Sequence, residues 1–226
     1  MNIKSWFRTL CAIALTVIVS LTLFSLPAWA YDQSDLTHLL KTNECNDCDL
    51  SGADLSQMDL YGSAMLRVNL TGANLTGTLL NDAKLRGANL SGADLSDAIL
   101  MGTTLSEADL TNATLRNADL YNVLIDRATL VKANLKDADL DSAILSNADL
   151  SDADGSNANF NNTILTGAIL TGANLNHAQM RRSRLINTNL RDADLCDVDL
   201  FRAIMPNSTI YNGDVAQFGA DECAHH

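Results

Sequence analysis

Bulky apolar residues recur at every fifth position of this chain from Leu50 to Ile210. The centre of each five-residue unit is Leu, Ile, Met or Phe, and Gly155 is the one exception across thirty-three consecutive units. A small residue, most often Ala, lies two positions before the centre, and Gly, Asn or Asp is common two positions after it. An uninterrupted period of five is therefore the dominant pattern of the sequence.

A period of five excludes both a long helix and a long strand. Five helical steps rotate a side chain by about 140°, so the apolar residues would wind around every face. An odd period also alternates between the two faces of a strand. The pattern instead predicts a short extended segment followed by a tight turn. The small and bulky residues then point inward, and the Gly, Asn or Asp residue lies where the turn requires positive φ.

The segments ANLTG at 73–77, ANLSGADLSDA at 88–98 and TGANL at 171–175 resemble the A(D/N)Lxx motif of pentapeptide-repeat proteins. The resemblance covers residues 48–212. It implies an all-β fold, a right-handed quadrilateral parallel β-helix with four units per coil and about eight coils.

Such a solenoid needs capped ends, because exposed strand edges recruit other chains. We expect residues 31–47 to form an N-terminal cap with a short helix, in which Leu36, Leu39 and Leu40 share one face. Residues 213–226 are expected to form a C-terminal cap or tail that closes the other end with Phe218.

The first thirty residues have the pattern of a secretory signal peptide. Lys4 and Arg8 precede an apolar run that ends in AWA, so cleavage is predicted after Ala30. An uncleaved membrane anchor is the alternative, because the apolar run is nearly long enough to span a bilayer. Together with the segment LLKTNECNDCDLSGADLS at 39–56, the leader resembles exported pentapeptide-repeat proteins. The resemblance implies the periplasm or thylakoid lumen of a cyanobacterium, or the thylakoid lumen of a plant, with no membrane association after cleavage.

Charge and motifs indicate a binding protein and not an enzyme. The formal net charge is −12, with 27 acidic and 15 basic residues, which repels nucleic acid and anionic membranes. No P-loop, H-E-x-x-H or G-x-S-x-G motif occurs, so we expect no catalytic residue, cofactor or metal. The sequence predicts a non-enzymatic structural or interaction protein.

The resemblance also implies an alternative function, that of an acidic DNA mimic acting on a topoisomerase such as DNA gyrase. The acidic composition is compatible with this function. The export signal opposes it, and so do basic residues that interrupt the acidic surface in the last third of the chain, namely Arg181, Arg182, Arg184, Arg191 and Arg202.

Four cysteines follow the predicted leader, an even number that is compatible with disulfides in an exported protein. Cys45 and Cys48 form a C-x-x-C at inward positions, and they are interpreted as buried thiols or as a structural disulfide across one turn. Cys196 and Cys223 are predicted to bond and to attach the C-terminal cap.

Assigning the units to four faces in rotation predicts one apolar surface. Leu124, Ile144 and Ile164 would stack in three successive coils, and Leu79, Ile99, Met101, Tyr121 and Tyr61 would lie beside them. Contiguous exposed apolar surface marks interaction sites, so this surface is the candidate for an unknown protein partner or a homodimer, with no nucleic-acid partner expected. The alternative is that β-branched residues simply suit a pleated surface.

Gly155 lies in the segment DADG, which is reminiscent of a calcium loop. The first ligand position of such a loop would be Leu150, an inward residue, so a calcium site is not expected. Phe160 is the next inward centre in the same coil. We predict an exchange of core volume in which the ring of Phe160 fills the space that Gly155 leaves.

Overall fold

The computed structural model describes residues 31–220 of the chain. The predicted signal peptide at 1–30 and residues 221–226, including Cys223, lie outside the described residues. The described elements are helix α1 at Gln33–Thr42, a long series of bridged five-residue units, and a short 3-10 helix at Ala216–Phe218. Within this range, no helix is both long and apolar enough to cross a membrane.

Each coil contains twenty residues. Every parallel bridge joins a residue to the one twenty positions later, from Glu44–Ala64 to Arg184–Ile204. The bridges are isolated pairs in four columns, which we call the first, second, third and fourth columns. In order, they begin at Glu44, Asp49, Asp54 and Asp59. The bridging therefore starts four residues before the predicted boundary at 48.

Backbone hydrogen bonds connect each coil to the next. The N–H of Leu50 donates to the carbonyl of Asn69 at 2.8 Å, and the N–H of Asn69 donates to the carbonyl of Cys48 at 2.9 Å. Within the unit, the N–H of Ala53 donates to the carbonyl of Leu50 at 3.0 Å and closes a tight turn. The third turn residue, Gly52, has φ of 67°, as a type II turn requires. The predicted alternation of extended segment and turn is present.

The inward positions form one continuous apolar core. Centres such as Leu55 and small residues such as Ala53 are fully buried. Thr78 takes the place of Ala in one unit. Its buried hydroxyl has a hydrogen-bond partner, because it donates to the carbonyl of Leu55 at 2.9 Å. A polar group in this core is therefore tolerated where a neighbouring carbonyl is within reach.

Gly155 packs closely against two larger side chains, those of Leu175 and Phe160. A Cβ at this position would lie 2.9 Å from Cδ2 of Leu175 and 3.1 Å from Cε2 of Phe160. The ring of Phe160 is buried and occupies the space beside the glycine. Gly155 is absent from the residues with positive φ, so its role is steric and not conformational.

Helix α1 lies against the first coil. The carboxylate of Asp32 accepts a hydrogen bond from the N–H of Ser34 at 2.7 Å, which caps the helix N-terminus. Leu36 and Leu39 are buried. The prediction that Leu40 shares this buried face is wrong. Leu40 is 58% exposed, because it projects about 100° around the helix from Leu39.

The coil ends earlier than the five-residue period predicts. The backbone and hydroxyl of Thr209 both donate to Oδ1 of Asn207, at 3.1 and 2.6 Å, and the chain reverses here. Ile210 then pairs antiparallel with Ile204 and is 67% exposed. Ile210 is therefore not the buried centre that the period predicts, because the local turn redirects the chain before residue 212.

Residues after this reversal cover the last coil. Val215 and Ala220 are buried, and Phe218 packs against the core. The N–H of Asp192 donates to the carbonyl of Gly219 at 2.7 Å, which joins this segment to the final coil. The open edge of the coil is thus shielded by the chain itself.

Candidate interaction surface

The residue just before each buried centre points outward and supports the turn that follows. Oδ1 of Asp54 accepts hydrogen bonds from the N–H of Ser56 at 3.1 Å and from its hydroxyl at 2.7 Å. These two bonds hold the pKa of the Asp54 carboxyl below its usual value. Every Asp and Asn at this position from 49 to 199 accepts from the N–H two residues later at 2.9–3.2 Å. The outward Asp and Asn are therefore turn-forming residues.

Polar residues in the second and third columns also bond between coils. Nδ2 of Asn74 donates to Oδ1 of Asp54 at 3.0 Å, and Nδ2 of Asn69 donates to Oδ1 of Asp49 at 2.9 Å. Sequence reasoning missed these bonds between coils. The twenty-residue alternation of Asp and Asn was the signal that could have revealed them.

The first column differs from the other three in its outward residues along its whole length. It contains no Asp or Asn at any of its bridged positions, which are Glu44, Ala64, Lys84, Thr104, Leu124, Ile144, Ile164, Arg184 and Ile204. The N–H groups two residues after Leu124, Ile144 and Ile164 have no protein acceptor among the described residues. Each apolar residue in this column thus replaces a residue that could have stabilised its turn.

The predicted apolar residues are brought together on two neighbouring columns and the corner between them. Bridges stack Leu124 on Ile144 and Ile144 on Ile164 in the first column. Leu79 and Ile99 are bridged in the fourth column. We call the complete set the apolar face, which consists of Leu79, Ile99, Met101, Tyr121, Leu124, Ile144 and Ile164.

The corner residues are the most accessible part of the apolar face. Met101 is 38% exposed and Tyr121 is 44% exposed, and they lie at equivalent positions in adjacent coils. Tyr61 lies at the same corner, but its hydroxyl donates to Asp82 at 3.0 Å, and this carboxylate raises the pKa of Tyr61. Ile169 in the second column is also exposed, although sequence reasoning did not single it out.

The cysteines lie near the two ends of the coil. Cys45 and Cys48 are buried and joined in a disulfide, with Cα atoms 5.3 Å apart. Cys196 is half-buried and disulfide-bonded. Cys223 lies outside the described residues, so its pairing with Cys196 stays a prediction.

Possible metal ligands are not clustered within the described part of the chain. No group of three or more His, Cys, Asp or Glu residues within 31–220 could hold a metal ion. Nδ1 of His177 lies 3.5 Å from Oδ2 of Asp197, and both side chains are exposed.

The chain is a solenoid of five-residue units. Each unit contains one turn, and parallel bridges join residues that are twenty positions apart. The family model of pentapeptide repeats matches residues 44–82, 63–102, 78–117, 105–140, 133–172 and 170–200. This chain belongs to the pentapeptide repeat family.

Several solved structures are similar to this chain. HetL from the cyanobacterium Nostoc sp. strain PCC 7120, a pentapeptide repeat protein involved in heterocyst differentiation regulation, is 32% identical; the match covers 74% of this chain and 89% of HetL, with a TM-score of 0.29. A pentapeptide repeat protein from the Arabidopsis thaliana thylakoid lumen is 29% identical over 48% of this chain and 68% of that chain, with a TM-score of 0.19.

Full-length QnrB1, a plasmid-mediated fluoroquinolone resistance protein, is 17% identical over 71% of this chain and 82% of QnrB1, with a TM-score of 0.32. Comparison with curated protein sequences yields no match.

Proposed function

We propose that this chain is a non-enzymatic interaction protein that binds a protein partner, or a second copy of itself, through the apolar face. The observation that carries the proposal is the first column. It lacks the Asp and Asn residues that stabilise turns in the other columns, and it presents Leu124, Ile144 and Ile164 in successive coils instead. Residues that forgo local hydrogen bonds and remain partly exposed are better suited to binding than to folding.

The composition of the apolar face supports this proposal. Tyr121 and Met101 belong to the residue types that are enriched at protein interfaces. β-propensity alone would place apolar residues on all four sides, yet the third column contains only Asp, Asn and Thr. An apolar face opposite a polar one favours binding in a defined orientation.

We also infer the finer fold and the location of the protein. The four bridged columns support the right-handed quadrilateral β-helix of the family. The Cys45–Cys48 disulfide supports an oxidising compartment, such as the thylakoid lumen or the periplasm. Sequencing the N-terminus of protein isolated from that compartment should find Tyr31 first, whereas a cytosolic protein that begins at Met1 would contradict this inference.

A DNA mimic acting on a topoisomerase is the second candidate, and the net charge of −12 favours it. A mimic requires continuous negative charge, but the last coils carry Arg181, Arg182, Arg184 and Arg202. Inhibition of purified DNA gyrase by this protein would support the second candidate over the first.

The proposal is tested by replacing the apolar residues with the polar pair of the other columns. Leu124→Asp combined with Ile144→Asn would imitate Asp54 and Asn74, which are hydrogen-bonded at 3.0 Å. Thr114→Asp is the control, because it adds the same charge in the third column, where Asn134 already lies one coil further on.

The wild type and the control should assemble alike in sedimentation velocity and should capture the same protein from the exported compartment. The double variant should lose that assembly or capture. Equal behaviour of all three proteins in both measurements would contradict the proposal.

A further inference from the structure

An arginine cluster surrounds one phenylalanine in the last coils. The guanidinium carbon of Arg181 lies 5.3 Å from the ring centroid of Phe201, and that of Arg202 lies 5.2 Å from the same centroid. Nε of Arg181 also donates to Oδ2 of Asp199 at 3.1 Å, which fixes the orientation of this guanidinium. Arg182 follows Arg181 at the same corner. The ring and the carboxylate therefore hold positive charge in a fixed place.

Two of these arginines occupy backbone positions that suit Gly and Asn. Arg182 has φ of 58° and Arg202 has φ of 62°, a region that residues with long side chains rarely adopt. Equivalent residues in the four preceding coils are Gly102, Asn122, Ser142 and Asn162. Side chains that fit the turn poorly in two successive coils indicate a requirement beyond folding.

Arginines at other turns of this kind have acidic partners. Arg67 forms an ion pair with Asp47 at 2.6 Å, and Arg127 forms one with Glu107 at 3.1 Å. Within residues 31–220, no ion pair reaches the guanidinium of Arg182 or Arg202. These two residues are equivalent in adjacent coils, so their like charges are neighbours and disfavour the fold. An anion bound beside Arg182 would reduce this repulsion.

The cluster borders a cleft of about 270 Å³ that an anion could enter. The cleft is lined by Arg181, Arg182, Phe201, Asn161, Asn162 and Asp141. Asp141 is the one acidic member, and its Oδ1 already accepts from Asn162 at 2.9 Å and from Ser142 at 2.8 Å. It lies two coils from Arg181, about 10 Å along the axis.

We propose that this cleft binds an oxyanion, the carboxylate or phosphate group of a ligand, between Arg181 and Arg182. A guanidinium presents a planar fork of donors that matches either group with two hydrogen bonds. Arg202 adds positive charge, and Phe201 provides an apolar wall for the part of the ligand that carries the anion. The cleft borders the apolar face, because Asp141 and Asn162 lie in the same coils as Ile144 and Ile164. The proposal does not rest on the function proposed for that face.

Nuclear magnetic resonance of the arginine Nε–Hε groups tests the site in the purified protein. Inorganic phosphate is the probe in one titration and citrate in another, with ionic strength held constant by sodium chloride. A saturable shift at Arg182 is expected, because no ion pair within residues 31–220 engages its guanidinium. The signal of Arg67 should remain unchanged, because the carboxylate of Asp47 already accepts hydrogen bonds from its Nε and Nη2. Tighter binding of phosphate would identify a phosphate ligand, and tighter binding of citrate a carboxylate ligand.

Paired variants separate a site from general attraction of anions. Arg182→Asn places a residue suited to positive φ at the turn, so it should retain the far-UV circular dichroism of the wild type and weaken binding of the better probe about tenfold or more. Arg67→Asn makes the same change of charge at an equivalent turn and should leave binding unaltered. The proposal is overturned if neither probe gives a saturable shift, or if both variants bind as the wild type does.

Discussion

Asp54 and Leu124 occupy equivalent positions, one residue before a buried centre, but they contribute differently to the fold. The carboxylate of Asp54 accepts two hydrogen bonds from Ser56 and thereby supports the turn. Leu124 cannot accept, so the N–H of Asp126 has no protein partner among the described residues. At the residue scale, a side chain at the outward position can therefore either stabilise the turn or present an apolar surface, but not both.

Gly155 and Phe160 share one space in the core, where the ring of Phe160 lies beside the glycine. Gly155→Leu should destabilise the protein by about 1–3 kcal/mol, because even a Cβ would lie 2.9 Å from Leu175. Phe160→Leu should also destabilise it, by about 1–3 kcal/mol, because it leaves a void beside the glycine. The double variant should recover at least about 0.5 kcal/mol of the summed loss in equilibrium denaturation. Strictly additive losses would show that the two side chains do not share one space.

Residue identity could be predicted wherever the period constrains it. The inward centres and the turn residues follow from a backbone that repeats every five residues. The hydrogen bonds of the outward Asp and Asn were missed, because the pattern shows that they are polar but not what they bond. The position of the Phe160 ring was predicted, since volume lost at Gly155 has to be filled by a neighbour.

At the element scale, helix α1 closes the first coil through a narrow contact. Leu39 is 1% exposed and Leu40 is 58% exposed, although they are adjacent in sequence. Leu39→Ala should lower the free energy of unfolding by about 2–5 kcal/mol, because it empties a buried site. Leu40→Ala is the matched control and should change it by less than about 0.5 kcal/mol. Similar losses in both variants, measured by urea denaturation, would contradict this assignment of the buried face.

The ends of the coil show where prediction from the repeat fails. Leu40 and Ile210 were both expected to be buried, and both are exposed. Inside the coil, each unit is held by a unit on either side. At the ends one neighbour is missing, so the rotation of a single helix or the side chain of Asn207 decides which residue is covered.

At the scale of the whole molecule, the four columns of one uniform backbone have distinct surfaces. The third column is entirely polar, the first and fourth share the apolar face, and the last coils add Arg181, Arg182 and Arg202. Rotating units among four faces placed Leu124, Ile144 and Ile164 in one column, as the bridges do. That these residues form an interaction surface stays a prediction. The convergence of arginines on Phe201 was not predicted, because it depends on side-chain directions at a corner.

The central claim is that the apolar residues of the first column are kept for binding and not for stability. Equilibrium unfolding of Leu124→Asp combined with Ile144→Asn, beside Thr114→Asp, tests it most directly. The replaced side chains are half-buried, so their loss costs at most about 1 kcal/mol each. The turn hydrogen bonds that they allow return about as much. We predict a free energy of unfolding within about 1 kcal/mol of the control, whereas a loss above about 2 kcal/mol would show that the first column is built for stability.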